Sequence, residues 1–531
     1  MMTWEDWGPE AFEKAREQRR PVYLHCGAVW SQKARAMEAL CSQEPVAALL
    51  MEKFVPIRVD IDDRPDLSER YAAGHSGPVL LDYLGRTLSR PPHATPAQLA
   101  ASLKDAADAF YPSGAGADPE DPQVWTGAVG PAGGGGKLDP AWPAETLAAL
   151  KRENARVFPC LDCLELFLYA AREWKDADAQ EKLAFQLTRL AGGGAQDGEN
   201  GGFARPEEEK RLGVNARLAR LYWDAFALTG QASFRDTALK TSSYLLAALA
   251  DRDCPLLRTV DAPGRSSFHA DANAMAVIAL LKAGAHGGGS KFTDGAQRIL
   301  LFLPQLFDSS KGMAHRWTGK PELFGFLGDD AWVILAFTES FLVTGLKAHR
   351  EFADALLKVM FQELWERDYG GFCDRPADPD AIGALKEQRL VARDNAVAFE
   401  AIWRLHELKG NTNYRRWLEM GLKTLVPKAR TVPCVAAPLV RLQDMHAKGR
   451  LDLELVGRPE DPRTAEILTV LHRHYLPRKV VSFVDPDDQD YIMAHHLETR
   501  SFPRLFGCVD LKPEFEAGNA EEIAVLLEAL R

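Results

Sequence analysis

Apolar and polar positions change their spacing three times along the chain, and each change predicts a different architecture. Residues 1–110 alternate short apolar runs with amphipathic helix patterns. A helix over Glu10–Gln18 leads into an apolar strand, Pro21–His25. A helical stretch from Ser31 to Met51 follows, then a second strand, Phe54–Asp60. The segment Pro78–Leu84 reads as a strand entering a hairpin at Gly85, and a helix is expected around Pro96–Ala109. Strand, helix, strand, hairpin and helix is the order of a thioredoxin-like α/β domain.

Residues 111–145 are rich in Gly and Pro and read as a linker. From 146 to 450 the period becomes helical throughout. Long apolar-striped helices come in pairs joined by short turns such as Thr229-Gly230 and Thr344-Gly345, with longer loops between pairs that carry Gly201-Gly202-Phe203 or Gly370-Gly371-Phe372. Five or six pairs at roughly 50-residue spacing predict an all-α (α/α)6 toroid. A linear solenoid is the rival, although its repeats would be shorter and more regular. Residues 451–531 return to α/β character: strands at Leu451–Val456 and Lys479–Val484 flank a helix, and a last helix covers Ala520–Leu530.

The 531 residues hold about three domains' worth of chain. Lys+Arg 64 against Asp+Glu 75 gives a net charge of −11, which argues against nucleic acid or an anionic membrane as a partner through bulk electrostatics. The acidic, amphipathic start carries neither a basic nor an apolar leader region and predicts a cytoplasmic chain. Eight scattered cysteines form no disulfide framework. The string Gly133–Lys137 suggests a phosphate loop but fails at Pro131, where a Gly belongs, and at Leu138, where a Ser or Thr belongs. His472-x-His474 reads as a solvated helix face and His495-His496 has no visible partner, so no metal and no cofactor are expected.

On these residues the chain resembles the spermatogenesis-associated, thioredoxin-domain-containing protein family. The matching runs are Trp7-Gly8 with Ala11–Ala15, Glu44–Leu50 and, most closely, Val59–Asp66 (VDIDDRPD). Phe158-Pro159, Gly325-Phe326-Leu327 before Asp329-Asp330, and Leu455-Val456-Gly457 with Asp461-Pro462 follow. The resemblance implies a thioredoxin-like domain joined to a six-hairpin glycosidase-type barrel. It also exposes departures. The family's Cys-His-Trp-Cys-His motif is replaced around Trp30, Ser31 and Ala34, and its loop histidines are absent from Gln196–Phe203. Without a thiol at Ser31 or Ala34, disulfide exchange at that position is excluded. Pro78 sits where thioredoxin folds place a cis-proline. The vestigial site of Trp30, Ser31, Ala34 and Pro78 is therefore expected to dock a protein partner or to be a structural remnant. Cys160 and Cys163 form a second CxxC, read as core cysteines ahead of a redox pair.

Barrels of this type that act on sugars need two carboxylates at the entries of the inner helices. Asp330 is the first candidate acid/base, with Asp271 or Asp394 as its partner. Arg205, Asn273 and Asn395 are candidate orienting groups, and Trp317, Trp332 and Phe203 candidate stacking surfaces. Asp and Asn are equally the preferred caps of helix N-termini, so each position has a purely structural alternative. Two functions follow as expectations: a toroid that binds or processes a carbohydrate-like small molecule, or a non-enzymatic interaction protein that docks through its cysteine-less thioredoxin-like domain. Were it an enzyme, the activity would be that of a glycoside hydrolase or sugar epimerase.

Overall fold

The computed structural model describes residues 2–72, 77–110, 137–153, 158–262, 267–409, 412–499, 501–509 and 512–529. The Gly/Pro-rich stretch 111–136 lies outside them.

The N-terminal unit runs α1 (Pro9–Gln18), β1 (Val22–Gly27), α2 (Gln32–Cys41), α3 (Val46–Lys53), β2 (Val55–Asp60), α4 (Pro65–Leu67), β3 (Pro78–Leu81), β4 (Thr87–Ser89) and α5 (Pro96–Asp108). The expected helix over 31–51 is two helices, because Pro45 has no N–H to continue the ladder and disfavours helix at the residue before it. The sheet order is β2-β1-β3-β4, with β1 parallel to β2 and antiparallel to β3. All six residues of β1 are buried, as a central strand covered on both faces requires. The cis peptide bonds among the described residues are Glu44–Pro45 and Phe502–Pro503, so the cis bond expected at Gly77–Pro78 is not present.

Among the described residues, twelve helices then form the toroid: α6 (Trp142–Arg152), α7 (Leu161–Glu173), α8 (Ala177–Gly192), α9 (Leu212–Thr229), α10 (Ala232–Ala248), α11 (Ala270–Ala285), α12 (Ser290–Phe302), α13 (Leu327–Thr344), α14 (Lys347–Leu364), α15 (Ala392–Lys409), α16 (Thr412–Ala429) and α17 (Pro433–Lys448). The odd-numbered helices pack in sequence, α7 on α9, α9 on α11, and so on to α17, which packs back on α7 and closes the ring. Each also packs on an outer helix, and α6 is the outer partner of α17. This closed ring is an (α/α)6 toroid, not a solenoid. Composition separates the two layers. Inner α13 (LGDDAWVILAFTESFLVT) is buried nearly all round, whereas outer α14 (KAHREFADALLKVMFQEL) buries one stripe. Gly230 and Gly345, both at φ near +70°, end inner helices in the left-handed conformation that turns the chain outward. Short strands lie in the loops that lead to inner helices: β5 (Phe268–His269), β6 (Phe307–Asp308), β7 (Gly312–Trp317), β8 (Pro321–Phe324), β9 (Trp365–Glu366) and β10 (Gly371–Phe372).

The C-terminal unit holds more than the two expected strands. It runs β11 (Leu451–Val456), α18 (Pro462–Arg473), β12 (Lys479–Val484), α19 (Gln489–Ala494), β13 (Arg504–Val509), β14 (Lys512–Ala517) and α20 (Ala520–Ala529). Its sheet order is β12-β11-β13-β14, with β11 parallel to β12 and antiparallel to β13. This is the topology of the N-terminal sheet over again, with a closing helix in each case. The two units cover opposite ends of the ring. The N-terminal unit meets loops at the N-termini of the inner helices, as where Asp63 reaches His269 and Arg316. The C-terminal unit meets their C-termini, where Phe483 packs on Phe341 and Lys282 donates to the His472 carbonyl. His472 is therefore buried, not solvated as its sequence pattern implied. No helix among the described residues is long and apolar enough to cross a membrane.

Candidate functional site

All six inner helices run in the same direction, so their N-termini gather at one mouth, beneath the N-terminal unit. The fourth residue of four of them carries one repeated device. Asn215 Oδ1 accepts the Phe203 N–H at 2.5 Å, and its Nδ2 donates to the Phe203 carbonyl at 2.9 Å. Asn273 does the same with Leu257, at 2.8 and 3.0 Å, and Asn395 with Phe372, at 2.8 and 2.9 Å. Each Nδ2 also donates to the carbonyl four residues back. In α13 the equivalent residue is Asp330, whose Oδ1 accepts the Met313 N–H at 2.8 Å. The incoming loop is thus fastened to the first turn of its inner helix. Gly201 and Gly202, at φ near +76°, provide the turn that brings Phe203 into the clamp.

This device redefines several candidates. Asn273 and Asn395 are 0% exposed and Asp330 1%, so they have no surface to offer a ligand. Burial, with the Asp329 charge adding to it, holds the Asp330 carboxyl well above the ordinary carboxylate range against the Met313 N–H. Phe203 is also 0% exposed and stacks on Tyr222. Trp317 packs edge-on against Phe302, at 5.1 Å between centroids. Arg205 lies over Phe158 with its charge near Glu208.

Asp271, Asp394 and Trp332 face the ring axis instead. Contacts between helices that are not neighbours in the ring mark that axis. Arg393 of α15 donates to Asp162 of α7 at 2.9 Å. Arg217 of α9 reaches across to α13, where its guanidinium lies over the Trp332 ring at 5.9 Å, while it also donates to Asp162 at 2.6 Å and Glu165 at 2.9 Å of the neighbouring α7. Asp271, Asp394, Arg217 and Trp332 all keep accessible surface although they sit inside a closed ring of helices. The Asp394 carboxyl lies beside Gly328 of α13. Burial, with the charges of Glu69, Asp374 and Asp271, pushes it up to about 7 against the pull of Arg393. Asp271 is also raised, by burial and by Asp329, whose Oδ1 accepts the Asp271 N–H.

His315 closes this cluster. Its Nδ1 lies 2.9 Å from Asp329 Oδ2, and its Nε2 2.7 Å from the Asp62 carbonyl oxygen. A carboxylate and a carbonyl both accept, so both ring nitrogens donate and the ring is an imidazolium. Burial would lower its pKa, but Asp329 and Asp271 override that and raise it to about 10. Asp271, His315 and Asp329 are the set among the described residues whose ligand atoms converge within 4.8 Å. A metal ion there would need a His315 lone pair that both hydrogen bonds consume. The arrangement suits proton transfer and anion neutralisation better than metal binding.

The lid over the cluster is the VDIDDRPD run. Asp63 Oδ1 meets His269 Nε2 at 2.9 Å and Asp63 Oδ2 accepts from Arg316 at 2.7 Å. Those two partners hold the Asp63 carboxyl well below its ordinary range although burial opposes them. Trp30 Nε1 donates to Asp62 Oδ2 at 2.6 Å, and the Trp30 face receives the Arg211 guanidinium at 4.0 Å. Ser31 caps α2 by accepting the Ala34 N–H and pairs as a bridge with Glu208, while Gln32 N–H donates to the Glu207 carbonyl. Ala34 and Pro78 are buried. The vestigial thioredoxin site is thus covered by the toroid's own loop 207–211. The sequence pattern did not assign Asp162, Arg217 or Arg393; their signal was a charged residue in the first or second turn of an inner helix.

The family model Thioredox_DsbH, described as "Protein of unknown function, DUF255", matches residues 1–77. The chain is 21% identical to rat spermatogenesis-associated protein 20 over 92% of its own length and 84% of that protein's. It is 26% identical to the human protein of the same name over 47% of this chain and 38% of that one. The resemblance read from the sequence is therefore borne out. Among solved structures, the GH76 α-mannanase BT2949 of Bacteroides thetaiotaomicron aligns at 12% identity and a TM-score of 0.46, covering 59% of this chain and 97% of that one. A D-mannose isomerase aligns at 13% and 0.45, covering 53% and 84%.

Proposed function

We propose that the axial residues at the lidded mouth of the toroid bind a polyhydroxylated, carbohydrate-like small molecule and exchange protons with it through Asp394 and Asp271. The observation that carries this reading is Asp394: the residue is not fully sealed, and burial with the neighbouring carboxylates pushes its carboxyl up to about 7. A group with that pKa gives or takes a proton at neutral pH with little penalty. Asp271, raised in the same field, supplies a second carboxyl of different environment, the usual basis for dividing acid from base. Trp332 offers an apolar ring face, and Arg217 and Arg393 offer donors for hydroxyl or anionic oxygens. The N-terminal unit acts as the lid, since Asp62 and Asp63 hold His315 and His269 directly above the carboxylates.

The docking reading draws less support, because Trp30, Ser31 and Gln32 are already engaged by residues 207–211.

A thermal-shift screen against mono- and oligosaccharides and sugar phosphates tests the proposal. A ligand of the native state raises apparent stability by mass action. The expected result is a selective shift in the wild type that Asp394→Asn and Trp332→Ala abolish and Asp330→Asn keeps. No shift with any sugar, or a shift that survives Asp394→Asn and Trp332→Ala, overturns it.

A further inference from the structure

Three thiols meet where α7 and α17 begin. Cys160 is the N-cap of α7, Cys163 its third residue, and Cys434 the second residue of α17, which packs beside α7 in the ring. The Cys160 thiol lies within reach of both of the others. Ser31 and Ala34 hold the same two positions, cap and third residue, on α2. The cap-and-third-residue spacing of a dithiol at a helix start therefore occurs in both places, and it carries sulfur only on the toroid.

The surroundings favour a thiolate. The N-termini of α7 and α17 both direct their positive ends toward the cluster. Arg393, paired at 2.9 Å with Asp162 in the first turn of α7, offsets the Asp162 carboxylate, which together with burial opposes the Cys160 thiolate, and the Arg393 side chain is 63% exposed, so this corner opens to water. Cys160 and Cys434 are only half-buried. The contrast with the chain's sealed cysteines is direct. Burial pushes Cys26, Cys373 and Cys508 up to about 12, whereas the two neighbouring thiols pull Cys160 down and Cys163 is raised in turn. The three sulfurs do not form a set converging within 4.8 Å, so pairwise bonding suits them better than a soft-metal cage.

We propose that Cys160, Cys163 and Cys434 form a thiol–disulfide exchange site on the toroid, with Cys160 as nucleophile and a low-molecular-weight disulfide as its oxidising substrate. In the first step the Cys160 thiolate attacks one sulfur of the disulfide; a mixed disulfide forms and one thiolate leaves. In the second, the thiol of Cys163 or Cys434 loses its proton to solvent and attacks the Cys160 sulfur. An internal disulfide forms and the second thiolate leaves. Two electrons pass from the protein pair to the substrate disulfide. Residues three apart in a first helical turn lie within the Cα separation a disulfide spans.

The test uses the full chain, reduced, desalted and exposed to oxidised glutathione, with free thiols then alkylated and mapped by peptide mass. The expected product has Cys160 linked to Cys163 or Cys434 while half-buried Cys254 stays alkylatable. With both partners changed to Ser, Cys160 is expected to accumulate as a stable mixed disulfide with glutathione. Cys160→Ser is expected to remove every oxidised form of the cluster. A second readout needs no variant: iodoacetamide at pH 6.5 should label Cys160 at least tenfold faster than Cys254. Equal labelling rates, or oxidation of Cys163 and Cys434 that persists in Cys160→Ser, overturns the proposal. So does stoichiometric zinc retained by the cluster with no internal disulfide formed.

Discussion

Arg70 and Asp374 stand 304 residues apart in sequence and form a two-pronged ion pair, Nη1 to Oδ2 at 2.6 Å and Nη2 to Oδ1 at 3.1 Å, with no part of the Arg70 side chain exposed. Arg70 also donates to the carbonyls of Ala384 and Glu387. One buried guanidinium thus ties the segment after the VDIDDRPD run to the loop before α15. The thioredoxin-like unit is held on the toroid by a desolvated charge pair, and loss of either partner leaves an uncompensated charge.

Arg70→Met is therefore expected to cost about 3 to 5 kcal/mol, the usual penalty for stranding one partner of a buried pair. Chemical denaturation read by intrinsic fluorescence would give the loss. A second change, Asp374→Leu, should recover part of it, because both charges are then gone; a double variant weaker than Arg70→Met alone would contradict this account.

The clamp residues separate structure from chemistry. Asn395→Ala leaves the Phe372 N–H and carbonyl without buried partners and should destabilise by about 2 kcal/mol. Asp330→Asn places the amide found at the three equivalent positions into a site that already disfavours a charge. It should be neutral or stabilising at pH 7, measured by the midpoint of thermal unfolding.

His315 makes the lid sensitive to alkali. Its folded pKa of about 10 lies above the ordinary 6.5. The stabilisation is complete below pH 6.5 and is lost as pH rises through 10, the direction linkage requires for a cation favoured in the folded state. The urea midpoint of the wild type should fall between pH 7 and pH 10 by more than that of His315→Gln, in which the imidazolium is absent at every pH.

Asp394 acts in the same sense over a lower pH window. Its carboxyl stays protonated in the folded chain up to about pH 7 and ionises near 3.8 once unfolded, so the wild type loses stability as pH rises from 4 to 7. Asp394→Asn removes that loss. Its melting temperature should exceed the wild type's by several degrees at pH 8, with the gap narrowing toward pH 5.

The order of elements in the N-terminal unit and the pairing of the toroid helices were legible from period and composition alone. Apolar runs such as those of α11 and α13 can satisfy their side chains only in an inner ring, and striped ones such as α14 only outside it. The lost cysteines at Ser31 and Ala34 were equally plain. What the chain pattern leaves open is direction. Asp330 and Asp394 both sit in the first turn of an inner helix behind an apolar run, yet one turns back to clamp the Met313 N–H and the other faces the axis. One residue along a helix is a rotation of about 100°, enough to exchange a structural position for a chemical one. The lid, the second sheet with the topology of the first, and the charges that meet across the ring depend on contacts between residues tens to hundreds of positions apart. Local propensity sets the helices and strands, and only closure of the ring decides which polar side chains are brought together.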